Sequence, residues 1–89
     1  MLYAAMKMAG DLDPFRIDAT RDEIRTAALI GGHAIELDCE ELTFIGPDGI
    51  GMLLELGREL GKRVVFTSMS VECRHRFQMM GVESVFEFR

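Results

Sequence analysis

Four apolar stretches, the second divided into two short runs, alternate along this chain with three segments of helical periodicity, and the joints between them hold only a few residues. That alternation leaves little topological choice. Parallel strands need a crossover, crossovers within one sheet are right-handed, and joints this short make neighbours in sequence pack as neighbours in space. The pattern therefore predicts an α/β fold of order β-α-β-α-β-α-β, a small, mostly parallel four-stranded sheet with about three helices. At 89 residues the chain has room for one hydrophobic core, so residues 1–89 are read as one domain.

Local signals place the elements. Residues 2–9 read as a strand that Gly10 ends. Asp13-Pro14 has the form of an N-cap followed by proline at the first helical position. Ile17, Thr20, Ile24, Ala27 and Ala28 then recur at helical spacing until Gly31-Gly32 stops the run. Thr20 with Glu23 also spells a capping box, which would start this helix one or two turns later. Residues 33–38 and 42–45 are two further short apolar runs, with Glu36 an odd polar residue that points to an edge or a polar contact. The second run leads into Gly46-Pro47-Asp48-Gly49, where Gly46 serves as cap, Pro47 takes the first helical position and Asp48 faces the positive end of the helix dipole. Ile50, Leu53, Leu54, Gly57 and Leu60 line one face of that helix, and Gly61 terminates it. Met52 and Leu56 lie off that stripe, either as a partly exposed apolar ridge or as a widening of the core face. Residues 64–67 form a strand, Ser70 caps a third helix that includes Val71, Cys73, Phe77 and Met80 before Gly81, and residues 84–88 make the last strand.

Charge and composition exclude several functions. A net charge of -5, with Arg74, His75 and Arg76 the nearest approach to a basic cluster, is unsuited to nucleic acid. No run of about 18 apolar residues is present to enter a membrane and the N-terminus lacks the pattern of a signal peptide, so a cytoplasmic location is expected. Cys39 and Cys73 lack any metal-ligand or CxxC spacing and read as buried apolar thiols in a reducing compartment. His33 and His75 have no nucleophile or carboxylate at a meaningful spacing, and the glycines do not form a phosphate loop. No catalytic residue, metal site or cofactor is expected, which leaves a binding module and not an enzyme.

Four segments carry a likeness to a known family. Gly10-Asp11-Leu12-Asp13 matches a G-E-L-D that ends an early strand, and residues 35–38 match a central strand ending near an Asp. Residues 42–54 match an apolar pair followed by D-S-S-G-[LI]-G and a hydrophobic helix. Ser70, Arg74, Phe77 and Gly81-Val82 match a third helix and the glycine after it. In that order and spacing they resemble the STAS family, specifically the anti-sigma-factor antagonists of bacterial partner-switching systems that regulate transcription.

The resemblance implies a switch in which a serine kinase that is also an anti-sigma factor phosphorylates the first Ser of D-S-S-G and so abolishes binding. Pro47 stands at that position and has no hydroxyl, Gly46 replaces the Asp and Asp48 the second Ser. The loop is therefore non-phosphorylatable at the family position. Asp48 reads either as a stabiliser of the helix start or as a permanent imitation of the phosphorylated state. Thr43, Ser68 and Ser70 are the remaining candidate acceptors nearby, Ser70 being more simply a cap. The resemblance places partner binding on Gly46, Pro47, Asp48 and Gly49, with Met52 and Leu56 beside them and Asp13 near the loop. The partner it implies is a serine-kinase anti-sigma factor. The alternative is a STAS subunit of a larger assembly, such as a lipid-transport ABC system, seated on its ATPase. The family's usual extra N-terminal strand and C-terminal helix have no counterpart here, so a sheet edge and the apolar last strand, with Val85, Phe86 and Phe88, are expected to seek a partner or a second copy.

Overall fold

The computed structural model describes residues 3–89. Its elements are β1 (Tyr3–Leu12), α1 (Ile17–Ala28), β2 (Ala34–Ile45), α2 (Pro47–Leu60), β3 (Arg63–Thr67), α3 (Val71–Met79), a 3-10 turn (Glu83–Val85) and β4 (Glu87–Phe88). The strands pair in sequence order, β1-β2-β3-β4, and every pairing is parallel. Right-handed crossovers that always step the same way along a sheet put all the helices on one face. The side chains record this arrangement. Ile35, Leu37 and Cys39 of β2 and Phe66 of β3 are buried under the helices, whereas Glu36, Asp38 and Thr67 alternate onto the opposite face beside Ala5 and Lys7. Glu36 thus lies on an interior strand, not an edge, and is half-buried on the helix-free face.

The start and end of α2 follow the sequence signals. Gly46 is extended at ψ 177° with Pro47 at the helix start, and Gly61 closes α2 in the left-handed region at φ 63°, where a side chain would be strained. Ser70 caps α3 by accepting a hydrogen bond from the Cys73 backbone N–H at 3.1 Å.

Other boundaries move, each for a local reason. β1 continues through Gly10 to Leu12, because register shifts between Lys7 and Ala9 and between Gly10 and Asp11 absorb the irregularity that reads as a stop. The two apolar runs of the second strand are one strand of 12 residues. Its break in alternation falls at Glu40 and Glu41, where the Asp38 carboxylate accepts from the Glu40 N–H at 3.0 Å. Asp13 does not cap α1. Its carboxylate accepts from the Phe15 N–H and its carbonyl from the Arg16 N–H, both at 3.0 Å, so it closes a separate turn ahead of the helix. Thr20 is buried within α1, which rules out the capping box there.

The C-terminal strand is shorter than its sequence suggests, since only Glu87 and Phe88 pair with β3. Phe86 and Phe88 do not wait for an outside partner. They are half-buried and join Phe66 and Phe77 in a four-ring cluster, each of them with its centroid 5.2–5.3 Å from those of Phe66 and Phe77. Val85, in the preceding turn, is the exposed member of the expected trio.

Candidate functional site

The surface around the N-terminus of α2 is built by close approach of helix to sheet. A side-chain carbon at Gly49 would sit 3.1 Å from the Leu12 and Ile45 side chains, so glycine lets the first turn of α2 rest directly on the ends of β1 and β2. The helix tip is therefore fixed in position. Pro47 and Asp48 are exposed on it, while Gly46 and Gly49 are buried beneath. Gly46 sits against the Phe44 ring, on whose face the Arg76 guanidinium stacks at 4.4 Å from the centroid.

Two shallow grooves flank the tip. On the α1 side the lining comes from Pro14, Ile17 and Arg21 together with Pro47, Asp48 and Glu55. On the α3 side a groove of about 220 Å³ is lined by Pro47, Ile50, Arg76, Met79 and Met80. The exposed apolar side chains nearby are large: Met79 is 74% exposed, Met80 40%, and Phe15, in the turn before α1, 96%. Leu12 pairs with Ile45 and lies against Gly49, so half-buried Asp13 and residues 46–49 leave the same end of the sheet.

Met52 and Leu56 form no exposed ridge, and that reading is corrected: each is only 3% exposed, Met52 contributing to the floor of the α1-side groove and Leu56 to neither groove. The physical reason is that α2 packs on two neighbours at once. One flank meets the sheet and another meets α1, to which Arg25 ties it by paired hydrogen bonds to the Glu59 carboxylate at 2.7 and 2.8 Å. A helix covered on two flanks needs a wider apolar arc than one stripe. Met79, Met80 and Phe15 went unassigned for the complementary reason. Met80 has inward spacing but is the C-cap of a helix that ends at Met79, so the chain turns it outward before Gly81. The tandem methionines ahead of a glycine were the available signal.

No hydroxyl occurs in residues 46–49, and two of the nearby ones carry structural bonds. Thr43 donates to the Asp11 carboxylate at 2.6 Å, and Ser70 holds its cap. Ser68 is exposed, in the left-handed region at φ 57°. Among the described residues no three His, Cys, Asp or Glu side chains converge to hold a metal, and no helix is long and apolar enough to cross a membrane.

Burial first, and then the negative charge of Asp38, push the Cys39 thiol from the ordinary 9.0 up to about 12. A thiol held neutral is a poor nucleophile. Because the folded value is raised, the stabilising contribution is complete below pH 9.0 and declines as pH rises from there towards 12, where the unfolded chain ionises first. Native protein at pH 8 is expected to leave Cys39 and Cys73 unlabelled by a disulfide thiol reagent, with both reacting after denaturation. Rapid native labelling of Cys39 would contradict its burial.

Comparison with known proteins agrees with this architecture. The family model described as "Mlab, STAS domain" matches residues 3–87. Among solved structures, the anti-sigma factor antagonist SpoIIAA in its unphosphorylated form is similar with a TM-score of 0.78 and 26% identity, over 99% of this chain and 80% of that one. The Bacillus cell fate determinant SpoIIAA in its phosphorylated form is similar with a TM-score of 0.66, again at 26% identity, over 98% of this chain and 82% of that one. No curated protein gives a significant match. With a parallel four-stranded sheet, three helices on one face and a family match over nearly its whole length, the chain belongs to the STAS domain family.

Proposed function

We propose that the chain is a non-catalytic binding module that docks on another protein through the tip of α2. The observation that carries this reading is the exposure of Pro47 and Asp48 on a tip clamped by Gly49, with the large apolar side chains of Met79 and Met80 exposed beside it. Rigid backbone flanked by flexible methionine suits recognition, because little order is lost on binding and the apolar surface adapts to its partner. SpoIIAA is an anti-sigma factor antagonist found in phosphorylated and unphosphorylated forms, and an anti-sigma factor is accordingly the first partner class for this chain. Pro47 removes serine phosphorylation at the tip as the control of that contact. A second reading, the alternative left by the sequence resemblance, is a STAS subunit seated on the ATPase of a transport assembly.

Affinity capture from cells that make the protein, followed by mass spectrometry, separates the two: a kinase-like anti-sigma factor supports the first and a transport ATPase the second. Asp48→Arg and Met79→Asp alter exposed side chains and are expected to weaken capture by roughly tenfold or more, the cost typical of a hot spot, without loss of cooperative unfolding. Undiminished capture by both variants would remove the α2 tip from the interface.

A further inference from the structure

The two edges of the sheet differ in kind. One is β4, with only two residues to offer, while the other is β1, a strand of 10 residues. A long unpaired edge is a template for another strand unless something blunts it. The second half of β1 is blunted. Register shifts fall between Lys7 and Ala9 and between Gly10 and Asp11, and Arg16 occupies the carbonyls of Ala9 and Asp11 with hydrogen bonds of 2.7 and 3.1 Å. Residues 4–7 keep an unbroken register with β2, and among the described residues nothing beyond β2 hydrogen-bonds to the backbone of residues 4–8. Lys7, the residue type that commonly guards an edge, is drawn over β2 by its ion pair with Glu41 at 2.7 Å.

We propose that residues 4–8 pair antiparallel with the same segment of a second copy of this chain, about a two-fold axis at Met6. The segment is complementary to itself in this register. On the helix-covered face the axis sets half-buried Met6 opposite Met6 of the second copy, and Ala4 opposite Met8, all apolar. On the other face Ala5 meets Lys7 of the second copy, so the two ammonium groups are kept apart. Moving the axis to Lys7 would set like charges directly opposite each other, and moving it to Ala5 would leave Met8 without a partner in β1. The pairing uses a surface separate from the α2 tip and joins two four-stranded sheets into one.

Sedimentation equilibrium of the 89-residue chain should show a concentration-dependent monomer–dimer equilibrium. Ala5 is exposed and lies opposite Glu36 of β2 in the native register. Ala5→Glu adds two cross-strand pairs with Lys7 per dimer and is expected to tighten association about fivefold, yet it sets a like charge beside Glu36 and lowers the unfolding midpoint. Ala5→Lys is expected to weaken association by a similar factor and raise the midpoint. Association and fold stability thus move in opposite senses, which a purely structural perturbation would not produce. A strict monomer up to about 1 mM, or two variants that shift association in the same direction or not at all, would overturn the proposal.

Discussion

Met52→Arg is expected to unfold the chain, not to detach a partner from it. Met52 belongs to the continuous core cluster that also contains Leu12, Ile24, Leu53 and Leu56. The groove that Met52 lines also holds Asp18, Asp48 and Glu55, so a guanidinium either stays buried, where an unpaired charge costs several kcal/mol, or swings out to those carboxylates and vacates the packing space of Met52. For 89 residues the whole margin of stability is about 5–13 kcal/mol. The substitution should therefore abolish the cooperative denaturant transition or lower its free energy by more than about 3 kcal/mol. Circular dichroism in the near ultraviolet would follow the loss of fixed packing. Asp48→Arg, one helical turn away on the exposed tip, is the contrasting variant and should unfold much as the parent does. Equal stability of Met52→Arg and the parent would mean that α1 does not cover that flank of α2.

The contrast between Met52 and Asp48 marks how far the amino-acid pattern reaches. Elements defined by local chemistry were legible: Gly46-Pro47 at the start of α2, Gly61 at its end, Ser70 ahead of α3, and the alternation that implies a parallel sheet. What escaped depends on a second element. The width of the buried arc on α2 is set by α1, the start of α1 by a turn at Asp13 and by Arg16 reaching back to the carbonyls of β1, and the length of β2 by an irregularity shared with β1. The candidate site divides along the same line. Residues 46–49 were located as a helix start by Gly46-Pro47 and as a candidate site by their resemblance to the family's D-S-S-G, whereas the exposure of Met79 and Met80 depends on where α3 stops, which its periodicity does not encode.

Phe77→Ala is expected to cost about 3–5 kcal/mol, because it removes the principal anchor of the C-terminal third of the molecule. Among the residues of α3 only Cys73 and Phe77 are buried. Phe77 is fully enclosed, and its ring meets Phe66, Phe86 and Phe88 at 5.2–5.3 Å. β4 adds little independent hold, since it pairs through two residues. Loss of the central ring leaves a cavity between α3 and β3 and withdraws support from Phe86 and Phe88 together, so α3, the 3-10 turn and β4 should loosen as one unit. Hydrogen exchange resolves this: protection in residues 71–89 should fall before protection in β1, β2 and β3. Uniform loss of protection across the sheet would show instead that the aromatic cluster is shared by the whole core. Because Met79 and Met80 ride on α3, the same substitution should also weaken partner capture at temperatures where the three sheet strands remain intact, which ties the order of the α2 tip's flanking groove to the packing of a single buried ring.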